Sequence, residues 1–182
     1  MPYLAYQTHS SVRLNLLSSS NMAPSATTHV QSQPPPQPTT NDKAPDLASL
    51  GDHVEETTFE QILEMDDEDP SREFSKGLVY GFFDQAETTF VKMESAIETK
   101  DLNEITQLGH FLKGSSATLG LTKVKEACEK IQNLGAGKDE SGTVNEPNAA
   151  ISLANIKKTL IETKDDYKDA VVRLKRFYGE KV

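Results

Sequence analysis

A histidine, a lysine and a glycine are spaced so that they can act together. His110, Lys113 and Gly114 are three and four positions apart, and residues at these spacings are neighbours on one face of a helix. A neutral imidazole is a nucleophile near neutral pH and forms covalent intermediates. Lys113 supplies a positive charge beside the ring, and Gly114 places no side chain in the way of an approaching group. The pattern suits a histidine that carries a phosphoryl group, although spacing alone favours an ordinary surface histidine beside a surface lysine.

The remaining residues exclude several other kinds of chemistry. The other three histidines, His9, His29 and His53, all precede the predicted helical bundle, so neither paired Glu-x-x-His ligands for two irons nor a multi-histidine zinc site can form. The sequence contains no Gly-x-Ser-x-Gly motif, Walker loop or kinase glycine loop, which leaves little support for an autonomous kinase. No acidic cluster lies within one helical turn of His110, so Mg²⁺ for phosphoryl transfer must come from a partner.

The overall composition narrows the class of protein and its surroundings. The formal net charge of the 182 residues is -9, which disfavours a nucleic-acid-binding surface. No apolar run is long enough to cross a membrane. Cys128 is the single cysteine and cannot form an internal disulfide, which indicates a reducing compartment.

The N-terminal part of the chain has the composition of a disordered tail. Residues 1–45 are rich in Ser, Thr, Gln and Pro and hold too few apolar side chains to form a core. We therefore divide the chain into a disordered tail, residues 1–53, and a folded domain, residues 54–182. The proline run at 34–38 could be a polyproline ligand, but a plain tail without a targeting signal fits better. Met22 is an alternative start.

Apolar residues recur every three or four positions in five segments, which predicts an all-α fold. A short acidic helix at about 57–65 precedes four longer ones, at about 71–99, 102–119, 122–134 and 147–178. Most connections are short, so we expect an antiparallel four-helix bundle with the acidic helix packed at one end. No segment shows the alternation of a β-strand.

A helical wheel of the third helix predicts that His110 faces away from the core. The apolar stripe lies on the opposite side of the helix from the imidazole. Its members are Ile105, Leu108, Leu112 and Leu119. A histidine in a helix is most often a satisfied core residue, and this arrangement argues against that interpretation.

Capping residues indicate where the helices begin and end. Thr57, Asp101 and Thr122 stand at positions typical of helix N-caps, and Gly120 at a position typical of a C-terminal cap. Cys128 belongs to the apolar stripe of the fourth helix, where a small core residue is the simplest interpretation.

The segment around His110 is similar to a known family signature. His110-Phe111-Leu112-Lys113-Gly114, followed by Leu119-Gly120, resembles the signature of histidine-containing phosphotransfer (HPt) domains. Together with Cys128-Glu129-Lys130-Ile131-Gln132-Asn133-Leu134-Gly135, it resembles the fungal phosphorelay intermediates between hybrid sensor kinases and response regulators. Met65-Asp66-Asp67 and Phe74-Ser75-Lys76-Gly77-Leu78 are also similar to that family. The resemblance covers roughly residues 55–182.

The resemblance implies a role for each residue around the histidine. His110 would take a phosphoryl group from the aspartate of one receiver domain and pass it to the aspartate of another. Lys113 would offset the phosphate charge, and Gly114 would admit the receiver's active site. Gln132, on the next helix, would hydrogen-bond and orient the imidazole. Ser115 would assist, although the wheel places it nearer the core than the phosphate.

The resemblance also implies a docking surface and partners. Receiver domains of the family dock on an apolar patch that is matched here by Ile62, Met65, Phe74, Leu78 and Phe111, although core packing is an alternative for each. The partners would be the receiver domains of a hybrid histidine kinase and of response regulators. Mg²⁺ is expected on the receiver domain, and no cofactor on this chain. We expect a monomer that binds neither nucleic acid nor membrane.

By the same resemblance, the chain would carry a phosphohistidine in an osmotic or oxidative stress relay, in both cytoplasm and nucleus, without kinase activity of its own. An alternative from a different class is a non-catalytic helical adaptor that binds receiver domains without being phosphorylated. Retention of His110 with Lys113 and Gly114 favours the phosphohistidine carrier.

Overall fold

Five α-helices make up most of the chain that the structure describes. The computed structural model describes residues 46–67 and 69–182. The helices α1 to α5 are Glu56–Leu63, Glu73–Thr99, Leu102–Thr118, Thr122–Gly135 and Ala149–Phe177. A 3-10 helix, Leu47–His53, precedes α1, and a 3-10 turn, Glu64–Asp66, follows it. The predicted all-α fold is confirmed, and none of these helices is both long and apolar enough to cross a membrane.

Helices α2 to α5 pack around one core as the predicted antiparallel four-helix bundle. Each helix buries the apolar stripe that recurs every three or four residues along its sequence. The buried side chains include Phe82, Phe90, Met93, Ile105, Leu112, Val124, Cys128, Ile131, Ile156, Leu160 and Leu174. Phe59 of α1 lies edge to face with Phe177 of α5, with ring centres 5.5 Å apart. The short acidic helix therefore packs against the bundle through Phe59.

The first two turns of α2 leave two apolar side chains outside the core. Phe74, Leu78 and Phe82 recur at steps of four, yet of the three only Phe82 is buried. Each step of four residues turns a helix about 40° beyond a full turn, so Phe74 lies about 80° from Phe82 around the axis. Ser75 and Val79 occupy the buried face there, and both are 0% exposed. Phe74 and Leu78 therefore lie on the solvent side of α2.

The folded part of the chain begins before residue 54, the predicted boundary. The 3-10 helix at 47–53 packs against the bundle through Leu50, which is 1% exposed. The Arg173 guanidinium of α5 donates a hydrogen bond to the Ser49 carbonyl at 3.2 Å. Seven residues are too few to show a clear helical period, so composition alone assigned them to the tail. The rest of the predicted tail, with its proline run and alternative start, lies outside the described residues.

Two of the four predicted helix caps are confirmed. The Asp101 carboxylate accepts the backbone N–H of Glu104 at 2.9 Å, as an N-cap does. Gly120 has a φ of +71°, the left-handed conformation of a glycine that ends a helix. Thr57 and Thr122 are not caps, because both already lie inside helices.

Candidate functional site

His110 lies on the outer face of α3 and is exposed to solvent. The opposite face of the helix carries the predicted apolar stripe, in which Ile105 and Leu112 are 0% exposed and Leu119 is 4% exposed. The imidazole therefore points away from the core, as the helical wheel predicts. A reactive group of another molecule can therefore reach the imidazole from solvent.

Lys113, one turn after His110, is held by a carboxylate of α4. Its Nζ lies 3.5 Å from Oε1 of Glu129, and the two side chains are 26% and 53% exposed. An ion pair this accessible to water contributes on the order of 0–1 kcal/mol to stability. Lys113 can therefore exchange Glu129 for another anion at little cost in free energy. Lys113 brings a cation to the His110 face but shares it with Glu129.

Gly114 leaves open space on the same face. A methyl group at position 114 would meet no atom within 4 Å, and the same is true of Gly77 and Gly81 on α2. A glycine inside a helix costs about 1 kcal/mol relative to alanine, and no contact within the described chain requires one at these positions. The space beside His110 is therefore free for another molecule, as the prediction for Gly114 requires.

Gly109, which the sequence alone did not single out, lets α3 and α4 approach each other. A Cβ at this position would lie 3.1 Å from the backbone nitrogen of Gln132 and 3.2 Å from the carbonyl oxygen of Cys128. The one available signal was a glycine inside a helical pattern, next to the histidine. That signal indicates close packing but does not identify the partner helix.

The close approach fixes which residues face one another across α3 and α4. The facing pairs run in antiparallel order: Thr106 with Gly135, Gly109 with Gln132, and Lys113 with Glu129. His110 follows Gly109 directly, so α4 presents Gln132 and Glu129 along the side of α3 that carries the histidine and its lysine.

Gln132 lies in this seam with its amide oxygen unpaired. Oε1 of Gln132 is buried and has no hydrogen-bond partner. The Gln132 oxygen therefore accepts no hydrogen bond from His110 in this conformation. Leaving a buried acceptor without a donor costs about 1–3 kcal/mol, and an imidazole N–H is a donor that would satisfy it. The role of Gln132 stays a prediction.

Ser115 lines a groove between α2 and α3 rather than the space around His110. The groove has a volume of about 340 Å³ and also contains Leu78 and Thr118. The Ser115 hydroxyl donates a hydrogen bond to the Phe111 carbonyl at 3.3 Å, the bond that a helical serine commonly makes to the preceding turn. The assisting role predicted for Ser115 has no contact to support it here and stays a prediction.

Four of the five predicted docking residues are exposed. The exposed fractions are 61% for Met65, 46% for Phe74, 42% for Leu78 and 50% for Phe111. We call these four side chains the apolar patch. Ile62 is different, because it is only 6% exposed. It shares the buried face of α1 with Phe59, three residues earlier, so the prediction of Ile62 as a docking residue is wrong.

The start of α2 is fixed against the turn that carries Met65. The Asp66 carboxylate accepts the backbone N–H of Ser75 at 2.8 Å, which ties the turn that carries Met65 to the first turn of α2. Leu78 lines the groove whose other wall is α3, the helix of His110. The turn of Met65 and the first turn of α2, which carries Phe74, therefore lie side by side. Clusters of exposed apolar side chains often mark an interaction site.

A second histidine packs against the bundle. His53, at the end of the 3-10 helix, is 7% exposed, and its Nε2 lies 3.4 Å from Nζ of Lys123 on α4. Burial lowers the pKa of His53 below its ordinary value of 6.5, and the positive charges of Lys123 and Arg173 lower it further. Among the described residues, His110 is therefore the histidine carried by the bundle helices α2 to α5, as predicted, while His53 packs against them from the 3-10 helix. Because His53 is buried, a partner cannot reach it as it can reach His110.

We also searched the described residues for a metal site and for other grooves. Within residues 46–67 and 69–182, no three His, Cys, Asp or Glu side chains lie together as metal ligands would. A groove of about 490 Å³ between α2 and α5 is lined by Glu94, Lys157 and Lys164, among others, and does not include His110.

Comparison with known proteins identifies close relatives. The chain matches the family model of the Hpt domain over residues 78–170, just over half of its length. It is 48% identical to Multistep phosphorelay regulator 1 of Schizosaccharomyces pombe over 125 residues, which are 69% of this chain and 42% of that protein. It is 52% identical to Phosphorelay intermediate protein YPD1 of Saccharomyces cerevisiae over 80 residues, 43% of this chain and 47% of that protein. These matches span less than half the length of the curated relatives.

Solved structures share the fold over nearly their whole length. The crystal structure of the yeast phosphorelay protein YPD1 matches with a TM-score of 0.62 and 34% identity, over 71% of this chain and 97% of that chain. A co-crystal structure of S. cerevisiae Ypd1 with the receiver domain of its downstream response regulator Ssk1 matches with a TM-score of 0.62, 36% identity and the same coverage. Since the family match includes His110, Lys113 and Gln132, and a solved relative is covered almost end to end, the chain belongs to the Hpt domain family.

Proposed function

We propose that this chain is a histidine phosphotransfer intermediate of a multistep phosphorelay. His110 accepts a phosphoryl group from the aspartate of one receiver domain and gives it to the aspartate of another. The observation that carries the proposal is the exposed His110 with Lys113 and Gly114 on the same face, in a chain of the Hpt family. Relatives named as phosphorelay proteins support the same role.

Each transfer exchanges one bond to phosphorus for another. A ring nitrogen of neutral His110 attacks the phosphorus of the aspartyl phosphate with its lone pair. The P–N bond forms as the P–O bond to the aspartate breaks, and the carboxylate leaves. The phosphorylated ring is cationic and keeps the proton on its other nitrogen. In the second transfer the aspartate of the next receiver attacks phosphorus, and neutral imidazole leaves.

The residues around His110 serve this exchange in different ways. The ammonium group of Lys113 offsets negative charge on the phosphoryl group, and the open surface at Gly114 lets the receiver bring its aspartate in line. The unpaired oxygen of Gln132 accepts the N–H of the phosphorylated ring, which fixes the ring's orientation. Ser115 assists from the groove side. Mg²⁺ is expected on the receiver domain, so the active site is completed by the partner.

The apolar patch is the proposed docking surface for receiver domains. A standard protein interface buries about 800 Å² on each partner, more than four side chains supply, so the groove between α2 and α3 belongs to the same contact. A yeast relative of this chain has been crystallised with a receiver domain. Receiver domains of a hybrid histidine kinase and of response regulators are therefore the proposed partners.

We extend the proposal to the cellular setting. The chain acts as a monomer in an osmotic or oxidative stress relay and is present in both cytoplasm and nucleus. The support is the resemblance of the His110 segment to fungal phosphorelay intermediates. Fluorescence microscopy of a tagged chain before and after osmotic stress tests the location, and light scattering of the purified chain tests the monomer.

Transfer from a phosphorylated receiver domain tests the proposed activity. Wild-type chain mixed with radiolabelled phospho-receiver and Mg²⁺ is expected to take up the label, and a second, unphosphorylated receiver to remove it. His110→Gln is expected to bind the receiver with unchanged affinity and to take up no label. A wild-type chain that binds receivers but never acquires label would be the adaptor instead. Equal labelling of His110→Gln and wild type would contradict phosphotransfer through His110.

A further inference from the structure

The ion pair between Lys113 and Glu129 has a consequence for the phosphorylated state. We propose that Glu129 is a positioning residue that shortens the lifetime of the phosphohistidine by competing with the phosphoryl group for the Lys113 ammonium. The inference rests on the proposed function of His110. It assigns a role to a residue of α4 whose carboxylate, among the described residues, has an ion pair with Lys113 and none with His110.

The geometry makes Glu129 the direct competitor. Within residues 46–67 and 69–182, Glu129 is the one carboxylate within 4.0 Å of the Lys113 Nζ, at 3.5 Å. The close approach at Gly109 holds α3 and α4 in a fixed register. Position 129 of α4 is therefore held opposite position 113 of α3. Lys113 lies one turn after His110 on the same helix and contacts Glu129 across the seam between α3 and α4.

Phosphorylation of His110 places two anions around one cation. A phosphoryl group carries more negative charge than a carboxylate and attracts the ammonium more strongly at equal distance. When Lys113 turns to it, Glu129 loses its partner and remains as a like charge near the phosphate. Both effects raise the free energy of the phosphorylated state relative to the unphosphorylated state. In a chain with a neutral side chain at position 129, neither effect is present. The phosphoryl group of the wild-type chain is therefore held less tightly and passes on more readily.

The size of the effect follows from the exposure of the pair. Because both side chains are in contact with water, the ion pair is worth on the order of 1 kcal/mol or less. Replacing the carboxylate by an amide of the same shape, Glu129→Gln, is expected to lengthen the half-life of the phosphohistidine about two- to fivefold. The equilibrium constant for transfer from a phospho-receiver to this chain is expected to rise by the same factor.

Five variants test the proposal, Glu129→Asp among them. Glu129→Gln is compared with Glu126→Gln, an exposed neutralisation one turn earlier on α4 that has no ion pair with Lys113, with Lys113→Ala, and with the double variant Lys113→Ala/Glu129→Gln. The half-life of the phosphohistidine is measured after removal of the receiver. The transfer rate is measured against receiver concentration, to separate docking from the chemical step.

The expected pattern is specific to competition for the lysine. Glu129→Gln lengthens the half-life, Glu126→Gln does not, and Glu129→Asp, which keeps the charge, returns it toward wild type. In the Lys113→Ala background, Glu129→Gln has less effect than in wild type. The receiver concentration at half-maximal rate stays unchanged in Glu129→Gln, because the docking surface is intact.

Several results would overturn the inference. Equal half-lives of Glu129→Gln and wild type would overturn it, and so would an equal effect of Glu126→Gln, which would indicate net charge alone. An undiminished effect in the Lys113→Ala background would also overturn it. If wild type takes up no phosphoryl group, the proposed function fails and this inference with it. If wild type is phosphorylated with a half-life that does not depend on position 129, this inference alone fails.

Discussion

The backbone of Gly109 lies so close to α4 that a Cβ at this position would be 3.1 Å from the backbone nitrogen of Gln132. This contact is made by the residue directly before the histidine. It sets the distance between α3 and α4, and with it the positions of Gln132 and Glu129 beside His110. Gly109 and Gly114 therefore serve opposite purposes: Gly109 is required by a neighbour inside the fold, whereas Gly114 faces open space.

Gly109→Ala is expected to destabilise the fold. Alanine improves helix propensity by about 1 kcal/mol, but its methyl group presses on backbone atoms of Gln132 and Cys128, which cannot move aside as a side chain can. Forcing an extra methyl group into packed structure typically costs 1–3 kcal/mol. We expect the free energy of unfolding to fall by about 1 kcal/mol, measured by urea denaturation. A rise in stability would contradict the close approach of α3 and α4.

Gly114→Ala is expected to separate stability from transfer. A methyl group at position 114 meets no atom within 4 Å, so the gain in helix propensity, up to about 1 kcal/mol, is expected to appear as increased stability in the same denaturation experiment. The same methyl group occupies space needed by the docked receiver, so the transfer rate is expected to fall at least fivefold. Gly77→Ala is the control for stability, because a methyl group at position 77 of α2 also meets no atom within 4 Å. Full transfer activity of Gly114→Ala would show that this space is not used.

Truncation of the apolar patch is expected to weaken receiver binding without unfolding the chain. Phe111→Ala and Leu78→Ala each remove a half-exposed apolar side chain, so we expect losses of about 1 kcal/mol or more in receiver binding, roughly a fivefold increase in Kd by calorimetry. Stability is expected to change by about 0.5 kcal/mol or less.

Two control variants frame that experiment. Val91→Ala truncates an apolar side chain that is 64% exposed and lines a groove with Tyr167 of α5, so receiver binding is expected to stay unchanged. Ile62→Ala removes a buried side chain, so it is expected to cost about 2–5 kcal/mol of stability. An equal loss of binding in Val91→Ala and Phe111→Ala would contradict the docking surface.

Acidification is expected to destabilise the fold through His53. Burial and the charges of Lys123 and Arg173 lower the pKa of His53, against the opposing carboxylates Asp169 and Asp166. The unfolded chain then binds the proton at pH values where the folded chain does not, so the free energy of unfolding decreases as the pH falls below about 6.5, by up to about 1.4 kcal/mol per pH unit.

The comparison of wild type with His53→Gln isolates this contribution. Other carboxylates titrate in both proteins, so only the difference between them reports on His53. Urea denaturation at pH 7.5 and pH 5.5 is expected to show a smaller loss of stability in His53→Gln than in wild type. An identical pH dependence of the two proteins would mean that His53 is not protonated preferentially in the unfolded chain.

Cys128 is expected to be unreactive until the bundle opens. The side chain is 0% exposed, and burial raises the pKa of its thiol to about 12. Compared with an ordinary pKa of 9.0, this lowers the thiolate fraction at pH 8 about a thousandfold, and only the thiolate reacts. We expect alkylation by iodoacetamide, followed by mass spectrometry, to be slow in buffer. It is expected to be fast in a denaturing concentration of urea, about 6 M. Comparable rates in the two conditions would contradict the burial of Cys128.

The sequence predicted the structure best in helices whose apolar residues form one stripe. In α3 the apolar residues form a single stripe, and Ile105, Leu108 and Leu112 are all buried, at 0%, 9% and 0% exposed. The outward position of His110 follows from that stripe by helix geometry alone. The four-helix bundle follows from the number of such helices and the short connections between them.

Periodicity could not predict which apolar side chains have a neighbour. Ile62 and Phe74 both lie on amphipathic helices, but Ile62 is buried and Phe74 is 46% exposed. The difference is decided by where α1 and the start of α2 pack, which is a long-range property. The same limit applies to Gly109 and Gly114, whose local sequences do not show that one contacts α4 and the other contacts nothing within 4 Å.

The most direct measurement is the site and the chemistry of the phosphoryl group after one turnover with a phosphorylated receiver domain. We predict one phosphoryl group per chain, located on His110 by fragmentation in a mass spectrometer, lost in acid and stable in alkali. His110→Gln is predicted to carry none. A phosphoryl group on another residue, one that is stable in acid, or none on a wild-type chain that binds the receiver would contradict the role of His110 as phosphohistidine carrier.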